Sequence, residues 1–373
     1  MDALMLPLNW QRVRLGDIGK PCMCKRVMKH QTTRYGEIPF YKIGTFGNTA
    51  DAFISKELFL EYKTKYSFPK KGDILISASG TIGRAVIYDG KPAYFQDSNI
   101  VWIDNDETLV KNDFLFYAYS NVKWNTEHTT ILRLYNDNFR NTLIPLPPLN
   151  EQIAIANILS ALDRYLCALR ALILKKESVK KALSFELLSQ RKRLKGFNQT
   201  WQRVRLGDIA NYLISNLSAE QITQQGKIKV YDVNNFIGYT DTTFISDKPY
   251  ISIVKDGSVG RVRILPPKTN ILSTMGALIA NHKTTTEFLF YLLSNFDFKN
   301  FTSGSIIPHI YFKDYKEKTI FLPPLNEQSA IANILSALDN EIISLKNKKR
   351  QFENIKKALN HDLMSAKIRV LKK

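Results

Sequence analysis

The chain contains one 18-residue segment twice, and this duplication constrains its fold more than any other feature. The segment "LPPLNEQIAIANILSALD" runs from Leu146 to Asp163 and returns from Leu322 to Asp339 with a single change, Ile153 to Ser329. A second segment, "WQRVRLGDI", begins at Trp10 and returns unchanged at Trp201. The sequence therefore predicts a tandem of two homologous units.

The two duplications divide each unit into a variable body and a following helix. The copies are offset by 191 residues at the first marker and by 176 at the second, so the first body is 15 residues longer than the second. The bodies, about 9–145 and 200–321, contain short β-rich runs such as "DILISAS" and "YISIVKD", broken by Gly, Asn and Asp. This pattern predicts two mixed α/β domains.

A long helix is predicted after each Pro-Pro pair. The prolines disfavour helix upstream, and Asn150 or Asn326 can cap the helix that follows. Apolar residues then recur with the spacing of a coiled-coil seam, interrupted by Lys176 and Lys180 in the first helix and by Lys349, Phe352 and Lys356 in the second. The residues predicted to form this seam are Leu159, Leu162, Leu166, Leu169, Leu335, Leu338, Ile342 and Leu345.

The two helices are expected to pair with each other, because a whole body separates them and neither can form a local hairpin. The predicted fold class is α+β, with two α/β bodies, each followed by a long coiled-coil helix, in a tandem repeat. The predicted boundaries are 1–149 for the first body domain, 150–196 for the first helix, 197–322 for the second body domain and 323–373 for the second helix.

The charge indicates an acidic partner. The formal net charge is +19 and the isoelectric point is near 9.6, and nucleic acid is the commonest partner of a basic chain. A solvated, Lys-rich helix face is the alternative explanation for part of this excess. Among the sequence's residues, Ile153 to Leu174 is long enough to span a bilayer, but Asp163, Arg164 and Arg170 interrupt it, so a packed helix is expected.

The cysteines and the N-terminus favour a cytoplasmic protein. Three cysteines make neither a disulfide framework nor a four-ligand zinc set, which points to a reducing compartment. Cys22 and Cys24 with His30 nearby are a weak hint of a metal site, and no metal site is predicted. The opening "MDALMLPLNW" lacks a basic flank followed by an apolar core, so no secretion signal is expected.

The chain resembles the specificity subunit of type I restriction-modification enzymes. The resemblance covers essentially the full chain and depends on the repeated "WQRVRLGDI", the repeated "LPPLNEQ" before a long helix, and "SGTIGR" at Ser79 to Arg84 matched by "DGSVGR" at Asp256 to Arg261. It implies that each body is a target-recognition domain that reads one half of a bipartite asymmetric DNA sequence. It also implies that the two α/β target-recognition domains are separated by the two long antiparallel coiled-coil helices in a pseudo-two-fold tandem repeat. It also implies that the near-identical helix segments set the spacer and dock two copies of one modification subunit, because identical partners require like surfaces.

The same resemblance implies that this chain is not itself an enzyme and holds no cofactor. S-adenosylmethionine is expected on the modification subunit, and the restriction subunits are expected to join through the complex. A methyltransferase motif is missing from the sequence, and the nuclease-like Glu61-Tyr62-Lys63 with Asp51 upstream has no equivalent in the second unit. A basic coiled-coil scaffold that binds DNA non-specifically is the alternative function.

The candidate DNA-binding residues lie in glycine turns and in basic or amide-rich segments. Glycine permits a tight turn with free N–H groups, whereas Arg, Lys, Asn and hydroxyl side chains can bind phosphates or base edges. A glycine required only for hairpin geometry is an equally good reading of the turns. The candidates are Lys42, Thr45, Asn48, Ser79, Gly80, Thr81, Arg84 and Arg133 in the first body and Asn234, Asn235, Gly257, Ser258, Arg261, Ser305 and His309 in the second.

Overall fold

The structure, a computed structural model, describes residues 6–128 and 132–370. By its internal contacts the chain divides into two units. The first unit comprises the residues up to Leu169 together with those from Lys348 onward, and the second comprises Arg170–Asn347. Each unit therefore holds one body, the first half of the helix that follows this body, and the second half of the other long helix. Neither long helix forms a compact unit of its own.

The first body mixes short strands with short helices. Its strands in the described residues are β1 (Gln11–Arg14), β2 (Gly19–Cys22), β3 (Ile38–Tyr41), β4 (Phe53–Ile54), β5 (Ile74–Ser77), β6 (Ala85–Ile87), β7 (Tyr94–Phe95), β8 (Ile100–Asn105), β9 (Glu127–His128), β10 (Leu132–Arg133) and β11 (Leu143–Leu146). Its helices are α1 (Leu15–Ile18), α2 (Lys56–Lys65), α3 (Asn112–Tyr119) and α4 (Asn136–Arg140). The long helix α5 (Leu149–Leu188) follows.

The second body has the same kind of content. Its strands are β12 (Gln202–Arg205), β13 (Ala210–Ile214), β14 (Ile228–Tyr231), β15 (Phe236–Thr240), β16 (Tyr250–Val254), β17 (Val262–Leu265), β18 (Thr269–Ile271), β19 (Met275–Ala280), β20 (Thr302–Ser303), β21 (His309–Ile310) and β22 (Thr319–Leu322). Its helices are α6 (Thr286–Ser294) and α7 (Phe312–Tyr315), and the long helix α8 (Leu325–Met364) follows.

Sheet topology repeats where the sequence does not. The first body has a four-stranded antiparallel sheet in the order β2-β8-β5-β6 and a three-stranded sheet in the order β4-β3-β7, and the second has β13-β19-β16-β17 and β15-β14-β18. The pairs β3–β7 and β14–β18 are both parallel. The predicted class, α+β with two α/β bodies in a tandem repeat that carries two long helices, is confirmed.

The two duplicated segments form one common frame. Strand β1 of "WQRVRLGDI" pairs antiparallel with β11, and β12 pairs with β22 in the same register. Leu15 and Ile18 lie in the buried core with Ile155 and Leu159 of α5. The frame thus joins the start of each body to the start of the helix that follows it, and the variable sequence is inserted between its strands.

Both long helices have 40 residues and extend about 60 Å at 1.5 Å per residue. Helix α5 begins at Leu149, one residue ahead of the predicted cap, because the backbone N–H of Gln152 donates to the carbonyl of Pro148 at 3.0 Å. Asn150 instead lies inside the first turn, where its Oδ1 accepts from the N–H of Glu151 at 2.9 Å. The helix ends at Leu188, before the predicted boundary at residue 196.

The predicted seam lies on the packed side of the helices. Leu159, Leu166, Leu169, Leu335 and Ile342 are buried, and the remaining three members, Leu162, Leu338 and Leu345, are half-buried. The five buried side chains are therefore covered within the protein, whereas the three half-buried ones keep part of their surface exposed. The predicted role of these residues in docking a partner stays a prediction.

Candidate nucleic-acid interface

Three of the predicted segments lie side by side in the first body. The turn between β5 and β6 carries Gly80 and Arg84, and residues 42–48 follow β3. A Cβ added at Gly47 would lie 3.2 Å from Nε of Arg84, so these two loops are in contact. Ser79 forms an isolated β-bridge with Arg133, which attaches β10 to the same turn. The structure therefore brings together segments that are up to about ninety residues apart in sequence.

The side chains of this surface differ in their availability. Asn48, Thr81 and Arg84 are exposed, as is the backbone of Gly80. Ser79 is buried, and its hydroxyl donates to Oδ1 of Asn99 at 2.8 Å. Ser79 thus orders the turn and does not offer its hydroxyl to a ligand, which corrects its predicted role.

The other three candidates of the first body are also engaged within the protein. Thr45 is half-buried, and its hydroxyl accepts from the N–H of Lys42 at 3.1 Å, which closes the turn after β3. The ammonium of Lys42 lies 2.8 Å from Asp51. The guanidinium of Arg133 donates to the carbonyl of Ser98 at 2.9 Å. Lys42 and Arg133 keep a charge at the surface, whereas Thr45 serves the loop geometry.

The second body repeats this arrangement with different residues. The turn between β16 and β17 carries Gly257, Ser258 and Arg261, all of them exposed. Nη2 of Arg261 donates to Oδ1 of Asn234 at 2.9 Å, and the backbone N–H of Gly257 donates to the carbonyl of Pro308 at 2.9 Å. The turn is therefore held between the Asn234 loop and the hairpin formed by β20 and β21.

The remaining candidates of the second body occupy the same surface. The backbone N–H groups of Asn234 and Asn235 both donate to Oδ1 of Asp232, at 2.7 and 2.6 Å, which leaves both amide side chains exposed beside Arg261. Ser305 is exposed in the turn of the β20–β21 hairpin. His309 lies in β21 at the base of this hairpin.

His309 forms a close pair with Asp256, a residue that the sequence did not single out. Their Nδ1 and Oδ1 atoms are 2.6 Å apart, and the ammonium of Lys255 lies 3.2 Å from the same carboxyl group. Burial alone would raise the pKa of Asp256, but the hydrogen bonds from His309 and Lys255 outweigh it and hold the pKa below its usual value. Asp256 stands where the first body has Ser79, so the alignment of "DGSVGR" with "SGTIGR" was the signal for it.

Both turns require glycine at their last position. Gly83 and Gly260 have φ of +79° and +80°, a region that side chains rarely adopt. A Cβ at Gly83 would lie 2.0 Å from Nε1 of Trp124, and a Cβ at Gly260 would lie 2.6 Å from the ring of Phe298. An aromatic side chain therefore covers each turn, and neither aromatic residue was predicted.

The first turns of the long helices carry buried acids that fasten the bodies. Glu151 accepts a hydrogen bond from Nε1 of Trp10 at 3.0 Å, and Glu327 accepts the equivalent bond from Trp201 at 3.0 Å. Each acid also binds an arginine that follows the end of the other long helix, Arg369 in the first unit and Arg193 in the second. The neighbouring glutamines bind body backbone, with Gln152 donating to Leu109 and Gln328 to Lys283.

A second polar contact recurs farther along the helices. In the second unit Asp339 accepts a hydrogen bond from the hydroxyl of Tyr291 at 2.9 Å and pairs with Lys180 at 2.5 Å. In the first unit Asp163 accepts from Tyr117 at 2.8 Å and pairs with Lys356 at 2.5 Å. Of the lysines that interrupt the predicted seam, Lys180 and Lys356 therefore bind aspartates of the other long helix, whereas Lys176 binds Glu341.

Residues of the weak metal and nuclease patterns are buried or ion-paired within the protein. Burial raises the pKa of the Cys24 thiol to about 12, so this side chain stays protonated at neutral pH. Glu61 pairs with Lys65 at 3.0 Å. Across residues 6–128 and 132–370, no group of three or more His, Cys, Asp and Glu side chains could hold a metal ion.

No helix within the described part of the chain is both long enough and apolar enough to cross a membrane.

Both units match the family model for the type I restriction modification DNA specificity domain. The match extends over residues 7–177 and again over 198–354, so it covers most of the chain. Each matched region contains one body and the first part of the long helix that follows. The duplication read from the sequence therefore coincides with two copies of one known domain.

Two relatives of similar sequence are described as specificity subunits of type I restriction enzymes. A provisionally assigned type I restriction enzyme specificity subunit of Haemophilus influenzae is 62% identical over 152 residues, which is 40% of this chain and 40% of that relative. A provisionally assigned specificity subunit of Methanocaldococcus jannaschii is 30% identical over 335 residues, which is 80% of this chain and 79% of the relative.

Solved structures of low sequence identity share the fold. The type I restriction-modification S subunit of M. genitalium aligns with a TM-score of 0.65 at 20% identity, covering 97% of this chain and 98% of that one. A chain from a study of complex assembly and conformational transition in a type I restriction-modification system aligns with a TM-score of 0.56 at 16% identity, covering 96% and 98%. The tandem arrangement of bodies and long helices is therefore a known architecture.

Proposed function

The chain belongs to the family of type I restriction-modification DNA specificity subunits, and we propose that each of its two bodies reads one half of a bipartite duplex target. The observation that carries this proposal is the repeated surface around Arg84 and Arg261. Each body presents an exposed arginine on a glycine turn, beside an amide-bearing loop and two short antiparallel strands. The duplicated segments that frame the two bodies are nearly identical in sequence, whereas the loops of the two bodies differ.

Exposed arginine with neighbouring amides and hydroxyls suits the edges of base pairs. A guanidinium can donate two hydrogen bonds to O6 and N7 of guanine, and asparagine can pair with adenine. The formal charge of +19 supplies the long-range attraction to the phosphates. Because the loop residues of the two bodies are different, we expect the two half-sites to be different, which makes the target asymmetric.

Two copies of a modification subunit are the proposed protein partners. Leu149 and Leu325 occupy equivalent positions at the starts of α5 and α8 and are 38% and 47% exposed. The equivalent residues Asn157 and Asn333 are also exposed. Each unit therefore offers the same mixed apolar and polar surface, and two like surfaces suit two copies of one partner.

The catalytic parts of the complex are assigned to these partners. We expect S-adenosylmethionine to bind the modification subunit, the restriction subunits to join through the complex, and the assembly to work in the cytoplasm on double-stranded DNA. We assign no catalytic residue to this chain. The paired long helices are proposed to set the number of unread base pairs between the half-sites, because each helix contributes residues to both units.

An exchange of one body tests the proposal directly. The chain is co-expressed with its modification subunit, and the methylated positions in host DNA are mapped. Residues between Ile18 and Leu143 are then replaced by those of a related specificity subunit, with the frame strands β1 and β11 retained. We expect one half of the target to change and the other half and the spacer to stay the same.

Two outcomes would contradict the proposal. A change in both halves after a single exchange would show that the bodies do not read independently. Binding that is equal for all duplexes and disappears with rising salt would instead support a basic scaffold that holds DNA without reading it. The reciprocal exchange of residues between Ile209 and Thr319 is the matched control, since it should alter the other half-site only.

A further inference from the structure

An isoleucine stands almost fully in water at the tip of a hairpin in the second body. Ile306 is 92% exposed, and among the described residues only Leu8, close to the N-terminus, is a more exposed large apolar side chain. An isoleucine in water forgoes the free energy that burial would give. An aliphatic side chain held at the tip of a hairpin therefore suggests that a ligand covers it in the working state.

The hairpin that carries Ile306 is firmly attached to the reading turn of the second body. Its strands pair Thr302 with Ile310 and Ser303 with His309. The carbonyl of Pro308 accepts from the N–H of Gly257 at 2.9 Å, and the N–H of Ile310 donates to the carbonyl of Lys255 at 2.9 Å.

The pair between His309 and Asp256 adds a side-chain contact at the same place. The base of the hairpin and the turn that carries Arg261 therefore form one continuous structure.

The residues around Ile306 favour a nucleic acid over a protein surface. The segment from Lys299 to Tyr311, "KNFTSGSIIPHIY", contains no acidic residue, and its flanking Ser303 and Ser305 are exposed. The neighbouring Ile307 is 54% exposed, so Ile306 is the more exposed of two isoleucines at the tip. Small hydroxyl residues beside exposed aliphatic groups match the wall of the major groove, where donors and acceptors alternate with the methyl groups of thymine. A two-stranded ribbon also has the width that this groove admits.

We propose that Ile306 reads the C5-methyl group of one thymine in the half-site bound by the second body. This inference rests on the proposed function, because it assigns a specificity-determining residue within the same DNA-reading surface. The aliphatic side chain covers the methyl group, and both leave water on binding. An A·T pair at that position would be preferred to a pair that lacks a methyl group in this place.

Deoxyuridine provides the test, because it differs from thymidine by this methyl group alone. The complex with the modification subunit is used, after methylation mapping has defined both half-sites. Each thymine of the second half-site is replaced in turn, and the affinity of each duplex is measured. For the wild-type complex we expect one replacement to lower the affinity by about fourfold, the factor expected for one buried methyl group.

The variant Ile306→Ala should lose this discrimination and bind the two duplexes with equal affinity. Its fold should be unaffected, because the side chain is exposed. The matched control is Ile343→Ala, which removes an exposed isoleucine from α8 of the same unit and should retain the fourfold difference. Replacements in the half-site of the first body give an internal control that Ile306→Ala should leave unchanged.

Three results would overturn the inference: a second half-site without any A·T pair, a wild-type complex indifferent to every replacement, or an Ile306→Ala complex that keeps the wild-type difference. In each of these cases sequence-specific methylation of a bipartite target would still stand. A complex that methylates no bipartite target would instead refute the proposed function itself.

Discussion

The guanidinium of Arg193 binds the carboxylate of Glu327 through two hydrogen bonds, 3.1 Å from Nε and 2.6 Å from Nη2. Arg193 follows the end of α5, whereas Glu327 lies in the first turn of α8. Arg369 makes the same contact with Glu151 in the first unit, at 2.6 and 2.9 Å. The hydrogen bond to Glu327 raises the pKa of Arg193, so this arginine is charged at neutral pH.

Removal of Arg193 should destabilise the second unit more than neutralisation of Glu327. The Glu327 side chain is 1% exposed, so Arg193→Ala leaves a buried carboxylate with Trp201 as its remaining hydrogen-bond donor. Glu327→Gln keeps an oxygen for Trp201 and leaves Arg193 near water. Calorimetric unfolding should give a lower midpoint for Arg193→Ala, whereas Arg191→Ala, which removes a contact with the exposed Phe185 ring, should stay near wild type. Equal losses in the first two variants would contradict this ranking.

Replacing the seam lysine Lys180 with leucine should weaken the second unit, although it would make the helix pattern more regular. Lys180 and Asp339 are each 29% exposed, and the variant would leave the carboxylate with Tyr291 alone. Because the pair is only partly buried, we expect a loss of about 1–2 kcal/mol, below the cost for a fully buried pair. Denaturant unfolding checks this, with the exposed Lys181→Leu as control. A stabilised Lys180→Leu would mean that the apolar seam outweighs the charge pair.

The tandem architecture could be predicted from the sequence because it depends on repeats and periodicity. The offset of 176 residues relates Asp163 to Asp339 and Lys180 to Lys356. The contact between Asp163 and Lys356 is therefore the repeat equivalent of the contact between Asp339 and Lys180. Lys180 and Lys356 interrupt the seam because seam periodicity considers one helix at a time, and their aspartate partners lie on the other helix. Spacing alone does not contain that information.

The details of the proposed DNA-reading surface were predicted only in part. The glycine turns were recognised from their composition, but the burial of Ser79 depends on Asn99, a residue from a different strand connection. The exposure of Ile306 could not be read at all, since an isoleucine in sequence favours the core. Equivalent helix positions also diverge, with Tyr165 against Phe352 in the first unit and Glu341 against Lys176 in the second.

Arg84→Ala and Arg261→Ala should each relax a different half of the target. If each guanidinium contacts a guanine, the variant should lose about 1–3 kcal/mol of discrimination at one base pair and none in the other half-site. Methylation rates on duplexes with single base changes measure this. Arg84→Lys is the control, because it keeps the charge but loses the forked donor. A uniform loss on every duplex would assign the arginine to a phosphate instead.

The two equivalent leucines should each control the binding of one modification subunit. Leu149→Asp or Leu325→Asp places a charge on an exposed apolar position, and an acid is tolerated in the first turn of a helix. Each single variant should yield a complex with one modification chain, and the double variant should yield none. Mass measurement of the purified complexes decides this. Leu174→Asp, at a more exposed site outside the duplicated segment, should retain two chains.

Lengthening both long helices at the boundary between the units should lengthen the spacer of the target. The boundary falls at Leu169 in α5 and at Lys348 in α8, whereas an insertion near Leu183 would disrupt the core of the second unit. Four residues added to each helix contribute about 6 Å of axial rise, against about 3.4 Å per base pair. Four residues are also close to one helical turn, so the pairing can absorb them by local unwinding.

Because the helices need not lie parallel to the DNA axis, only part of the added rise should separate the half-sites. We therefore expect a spacer that is longer by roughly one base pair, with both half-sites unchanged, and methylation mapping of the variant would reveal it. An insertion into α5 alone is the control, since it makes the two helices unequal in length, so that the Lys180–Asp339 and Lys356–Asp163 pairs cannot both keep their register, and it should reduce activity at every spacer length. An active double insertion that retains the original spacer would mean that a feature other than the paired helices sets the distance.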